Sequence, residues 1–217
     1  MQGAHPFSTN RKRRRRIIYF GIGGIGALMT IYLGPALATI TGYGELAGVS
    51  LSFTFSAMIG YLIISRGLWK VDSLSGILAS PPDLRGRWKG HLYTSSDEYN
   101  EEEVLAVNEL GHDLAKMDIS MHIDQTWDTI GIAFNGPNSE SDSTGATFVL
   151  GSRNGDSTTL TYNYENDGST LGDLEHHIGT TVLEYNPDDD TLEGTYYTGP
   201  NRGNYGLIRV ERVENSI

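Results

Sequence analysis

The residues able to do chemistry in this 217-residue chain gather in its second half, and their types fit binding rather than bond breaking. Tyr162 and Tyr164 alternate along one stretch and so share a face. Tyr196 and Tyr197 follow, with Gln125, Trp127, Ser141, Ser143 and His177 on neighbouring stretches. Aromatic faces stack flat rings, at about 1–3 kcal/mol per base in single-strand binders. Serine hydroxyls can donate to phosphate oxygens. Each tyrosine alone is explained by core packing with its hydroxyl satisfied. The grouping of rings and hydroxyls is what points to a flat polar ligand, and the spacing does not assign which of them share one interior.

Catalytic patterns are missing. The sequence has no G-x-S-x-G elbow, no Walker loop and no H-E-x-x-H. It has no cysteine, which excludes disulfides, thiolate zinc sites and a cysteine nucleophile. His176 and His177 are adjacent on an extended stretch, so they point to opposite faces and cannot chelate one metal together. Asp188, Asp189 and Asp190 lie in a turn and lack EF-hand ligand spacing. The chain reads as a binding protein rather than an enzyme, without metal or cofactor.

The elements that must position these residues are short strands. From Leu84 on, alternation replaces long apolar runs; Ala115, Met117, Ile119, Met121 and Ile123 interleave with polar residues. Eight strands are predicted near 86–95, 114–124, 127–135, 144–152, 158–165, 176–185, 191–198 and 204–212. Residues 101–110 could form a short helix. Eight up-and-down antiparallel strands usually close into a small barrel with an interior for side chains or one ligand. Gly86-Arg87-Trp88 opens the first strand, and Arg209 and Arg212 sit on the last. These strands are neighbours in a closed barrel, so one arginine should stack on Trp88. That arrangement resembles lipocalin-like barrels. Ser141 and Ser143 differ in parity from Phe148 and Leu150, so a bulge or a strand end must intervene if both sets point inward.

The N-terminal third has another character. Residues 17–44 and 46–65 carry no charged residue over 28 and 20 positions. About 20 apolar residues in a helix cross a bilayer core of ~30 Å. The expectation is a transmembrane helical hairpin over 17–66, an interfacial linker over 67–81 with Trp69 at headgroup level, and a soluble domain over 82–217. Met1 to Asn10 is polar and reads as unstructured. The six cations Arg11 to Arg16 complete a basic N-terminus over 1–16 and, with Arg66 and Lys70 after the second run, place both chain ends in the cytoplasm. Gly21-Ile22-Gly23-Gly24-Ile25-Gly26 matches the dinucleotide fingerprint but lies in an uncharged span with no βαβ unit around it. Gly42-Tyr43-Gly44 echoes a potassium filter, yet leaves no room for a pore helix. Gly48, Ser52, Ser56 and Gly60 form a small-residue stripe on the second run; the first offers Gly23-xxx-Ala27 and Gly34-xxx-Ala38. Such faces either close the hairpin or pack membrane helices between copies.

Net charge divides along the same line. Residues 1–70 hold eight Lys/Arg against one Glu, a net of +7; residues 71–217 hold eight against 26 Asp/Glu, a net of −18. The acidic part lacks the basic footprint that long nucleic acids need.

The order of short motifs is informative: Gly86-x-Trp88-x-Gly90, Gln125-x-Trp127, Ser141-x-Ser143, Leu160-x-Tyr162-x-Tyr164, His177-x-Gly179-Thr180, Leu192-x-Gly194-x-Tyr196-Tyr197 and Gly206-x-Ile208. Behind two apolar runs, this set resembles the two-transmembrane β-barrel effectors of CBASS antiphage systems, the SMODS-associating two-TM, β-strand-rich family. The resemblance implies an effector of the prokaryotic inner membrane, with both termini cytoplasmic. Its barrel would bind a 3′,3′-linked cyclic dinucleotide made by a partner CD-NTase cyclase. Ligand-induced homo-oligomerisation would then disrupt lipid and kill the infected cell. It implies a pocket of Gln125, Trp127, Ser141, Ser143, Tyr162, Tyr164, His177 and Tyr197, with Arg202 as a phosphate contact. A membrane-tethered lipocalin-like carrier of an apolar ligand is the alternative, and an ion channel a third reading.

Overall fold

The computed structural model describes residues 4–42, 44–95, 104–107, 113–137, 139–151, 157–166, 176–200 and 202–213. Two compact units emerge: 11–82 is helical, while 83–217 together with 1–10 is built of strands. Residues 4–10 thus group with the strand unit rather than standing as a free tail.

In the helical unit, α1 spans Lys12–Thr41 and α2 spans Glu45–Arg66. The first helix starts inside the basic run, so Arg13 to Arg16 ride on its opening turns. It ends at Gly42, whose left-handed φ of 70° lets its N–H reach the Ala38 carbonyl, a conformation that glycine adopts without penalty. Tyr43 lies outside the described residues. Ile22, Gly26, Thr30 and Gly34 recur every fourth residue and are the buried face of α1. A Cβ on Gly26 would lie 3.2 Å from Ala57 Cβ, and one on Gly60 would lie 3.5 Å from Ile22 Cγ2, so the two helices run antiparallel in contact. Ser52 and Ser56 are buried as well; the Gly48 side lies outside the described residues. The contact on α1 is therefore one residue out of phase with Gly23-xxx-Ala27, and Gly23 has open space beside it. By length and composition α1 could cross a membrane, and most of it is uncovered within the chain. A 3₁₀ turn at Leu68–Lys70 and the short α3 (Asp72–Leu78) complete the unit. Trp69 is buried rather than presented at the surface.

The strand unit holds β1 (His5–Thr9), β2 (Gly86–Thr94), β3 (Val104–Val107), β4 (Asp113–Gln125), β5 (Thr129–Asn135), β6 (Glu140–Leu150), β7 (Thr158–Asn166), β8 (His177–Asn186), β9 (Thr191–Thr198) and β10 (Tyr205–Arg212). Each of the eight predicted strands has its counterpart. Antiparallel pairing runs β5-β6-β7-β8-β9-β10-β2-β4 and returns from β4 to β5, so the sheet closes into a ring. Side chains alternate across it; Gly206, Ile208 and Val210 point inward while Leu207 and Arg209 point outward. Strand contact is close at Gly206, where a Cβ would run into the Tyr93 carbonyl oxygen. Of the two interruptions considered for this stretch, β6 has no strand end there but shifts register between Ser143 and Gly145.

Two sequence expectations change. Val104–Val107 is a strand paired with β4, not part of a helix; the flanks of 101–110 lie outside the described residues. The β-branched valines next to an unfilled stretch of β4 favour extension over the helical reading. His5–Thr9 is a strand rather than an unstructured tail, because Phe7 finds a place in the core beside Phe148.

Candidate functional site

Register divides the ring into two ends. The Trp88 end is packed. Trp88 is fully buried and its Nε1–H donates to the Leu84 carbonyl at 2.9 Å. The arginine over its face is Arg212, whose guanidinium carbon lies 4.4 Å from the ring centroid. Arg212 also donates to Asp190 Oδ2 at 2.6 Å and to the carbonyls of Asp83 and Arg85. Arg209 faces outward near Glu193. Gln125 and Trp127, expected in the site, belong to this end. Gln125 Oε1 accepts the Leu84 N–H at 2.9 Å, and Trp127 is fully buried in the turn between β4 and β5.

The opposite end is hollow. A cavity of about 110 Å³ opens there, against the ~10–15 Å³ that one water requires. Its base is apolar: Leu92, Met117, Phe134 and Ile208. Tyr162, Tyr164 and Tyr196 form an aromatic wall, and Ser141, Asn166, His177, Thr198, Arg202 and Asn204 are among its polar members. The strands bring these together because β7 and β8 pair with Tyr162 opposite Thr181 and Tyr164 opposite Gly179. Gly179 sets how Tyr164 lies: a Cβ there would run into the Tyr164 ring and lie 2.6 Å from the Tyr197 carbonyl oxygen, so only a glycine lets the ring cross β8. The Tyr164 ring meets His177 edge-on at 6.3 Å and Tyr162 at 6.4 Å.

Burial raises two of the cavity's phenols. Burial pushes Tyr162 up to about 12, opposed by the Thr181 hydroxyl. Burial also raises Tyr164, aided by Tyr196 and Tyr162 and opposed by the Arg202 charge. Tyr196 donates to Thr94 Oγ1. No aspartate or glutamate lines the cavity among the described residues, whereas Arg202 and His177 do. Elsewhere acids pair outward: Asp118 with His91, and Glu165 with His176 at 2.7 Å. Adjacent His176 and His177 do take opposite faces.

Of the nine residues expected to bind, Ser141, Tyr162, Tyr164, His177 and Arg202 line this cavity. Ser143 does not; its Oγ accepts the Ile132 N–H and bonds His5 Nε2, both at 2.9 Å. Tyr197 is 54% exposed on the outer face. Tyr196 takes the inward position, and its shared parity with Leu192 was the available signal. Asn166 shares parity with Tyr162 and Tyr164 in the same way. Thr94 and Thr181 had no signal, because cross-strand register brings them in.

A family profile described as "Cap15, cyclic dinucleotide receptor domain" matches residues 79–212. A curated protein of Yersinia aleksiciae, "CD-NTase-associated protein 15", is 29% identical over 157 residues, which cover 72% of this chain and 67% of that protein.

Proposed function

The chain belongs to the Cap15 cyclic dinucleotide receptor family, and from that premise we propose that its ring is a barrel-shaped sensor for a 3′,3′-linked cyclic dinucleotide. The ligand enters the hollow end. Tyr162, Tyr164 and Tyr196 pack against a base, and Arg202 and His177 meet a phosphate. The observation that carries this reading is the carboxylate-free lining of the described cavity within a region of net charge −18. A dianionic ligand is repelled by the field of such a surface, and a pocket that spares it carboxylates and offers a guanidinium compensates locally.

The helical unit is the part that acts. Phe20, Tyr32 and Ile40 are each about four-fifths exposed, as are lesser portions of Phe53, Phe55 and Ile63. Apolar surface on this scale fits a hydrocarbon environment better than water. The two helices form a transmembrane hairpin in the inner membrane of a prokaryote, with N- and C-termini cytoplasmic. A CD-NTase cyclase supplies the ligand during infection; ligand-bound copies assemble, breach the membrane and stop phage spread. The protein is not an enzyme. Because Ser52, Ser56 and Gly60 already face α1, assembly uses other faces of the helices than that stripe.

Calorimetry on the full chain in detergent tests the sensor. A panel of 3′,3′-cyclic dinucleotides should contain at least one micromolar or tighter binder, and Arg202→Ala should weaken it about tenfold. No binding across the panel would sink the reading. The apolar base of the cavity favours one rival, a carrier of an apolar ligand; a lipid co-purifying in stoichiometric amount would identify it.

A further inference from the structure

The ring pairs β5 with β6 directly over only Ala133 to Asn135, and past that point the two strands part. β1 fills the opening. It pairs antiparallel with β5 at His5↔Ile130 and Pro6↔Thr129, then parallel with β6 from Phe7↔Ala146 to Thr9↔Phe148. Phe7 stacks edge-on against Phe148 at 4.9 Å within the core. Ser8 and Thr147 share a hydroxyl bond of 2.7 Å. Asn10 ends the strand by holding both backbone groups of Leu150, each at 3.2 Å. Only Arg11 separates that anchor from the first residue of α1.

The same two strands reach the cavity. Phe134 and Ser141 are opposite each other in the short β5–β6 pairing, and both line it. Two residues further on, Ser143 bonds the Ile132 N–H and His5 together. A continuous set of contacts therefore runs from the cavity wall through Ser143 and β1 to Asn10, two residues before the first of α1 in the chain.

We propose that the β5–β6 seam is a strand-docking surface whose partner is the chain's own segment 4–10, and that this docking transmits cavity occupancy to α1. A ligand pressing on Phe134 and Ser141 changes the separation of β5 and β6. The strand between them must follow, and its short link passes the displacement to the helix. Ligand binding energy spent differently on the two positions of the strand shifts the equilibrium between them. The proposal rests on the sensor reading above.

The test uses the full chain in dye-filled vesicles of anionic phospholipid, with the same panel of 3′,3′-cyclic dinucleotides. A flexible Gly-Ser insertion between Asn10 and Arg11 leaves β1 its contacts but slackens the link. Affinity should stay unchanged while ligand-triggered release falls about tenfold or more. Release equal to that of the parent chain, or release without ligand, overturns the strap. Phe7→Asp removes the strand from the seam; amide exchange at positions 7 and 10 should become fast, with affinity within about twofold of the parent and release lost. Affinity lost in that variant would make β1 a part of the binding site instead, against the proposal. A parent chain that leaks with no ligand of the panel refutes the membrane reading. The strap is then judged by exchange alone, where ligand-responsive protection at Phe7 and Asn10 supports it and unresponsive protection overturns it.

Discussion

The two ends of the ring are made from the same eight strands with the same alternation, yet one is solid and the other hollow. At the Trp88 end, each prominent polar group has a partner inside the protein: indole with Leu84, guanidinium with Asp190 and two carbonyls, amide oxygen with Leu84. At the far end, phenols, amides and one guanidinium line open space, and two of the phenols, Tyr196 and Tyr162, also bond the hydroxyls of Thr94 and Thr181. The difference teaches where stability and recognition reside. A buried polar group enclosed by protein contributes to folding, and one that lines a cavity can also meet a ligand there. Gln125 and Trp127 have site-like chemistry but sit at the solid end, and that position assigns them to packing.

Four measurements would break or sharpen this contrast. Trp88→Ala should have the largest effect, about 3–5 kcal/mol of stability by analogy with other buried tryptophans, seen as a lowered thermal midpoint. A mild loss there would mean the solid end is not the stabilising one. Alkaline titration comes next and reads the hollow end. Tyr162 in the fold ionises near 12 against 10 for an unperturbed phenol. Its folded value is raised, so its contribution is complete below pH 10 and is lost as pH rises toward 12. About two units correspond to roughly 2–3 kcal/mol. Tyr162→Phe should flatten denaturant midpoints across that window; an unchanged profile would mean the phenol is not buried.

Gly179→Ala comes third. It should push Tyr164 into the cavity and reduce ligand affinity about tenfold or more. The companion Tyr164→Ala in the same chain should relieve the ring's share of the crowding, leave the Cβ against the Tyr197 carbonyl oxygen, and recover part of the stability without recovering affinity. Recovery of both would remove Tyr164 from the binding face. The smallest effect concerns Asp83 at the solid end. Burial raises its pKa, but the hydrogen bonds and charge of Arg85, with Arg212 beyond, outweigh this and hold it below the usual 3.8. A lowered folded value means the contribution is present above pH 4 and disappears as pH falls through the folded value. Asp83→Asn should therefore cost a little stability at pH 7 and none at the acid end; equal cost at both would point to shape rather than charge.

Which residues share an interior was only partly legible beforehand. The alternation on β7 correctly put Tyr162 and Tyr164 on one face, and G-x-W with a terminal arginine anticipated the contact of Trp88 with Arg212. On β9 the adjacent tyrosines hid the answer, since neighbouring residues face opposite ways and only the parity of Leu192 separates them. Ser143 was lost to a different cause: the irregularity before Gly145 turns β6, and its hydroxyl serves the seam.

The sequence by itself determined the local facts. Two uncharged runs, eight alternating strands, the charge divided between −18 and +7, and an order of motifs sufficient for the family are all properties of neighbours along the chain. The tertiary structure decided what depends on distant segments meeting. It chose which end of the ring is filled, set Thr94 and Thr181 beside the tyrosines, and drew His5–Thr9 into a seam more than a hundred residues away in the chain. Periodicity encodes the face of a strand, but register, ring closure and a partner for a short polar segment arise only when separate strands compete for the same hydrogen bonds.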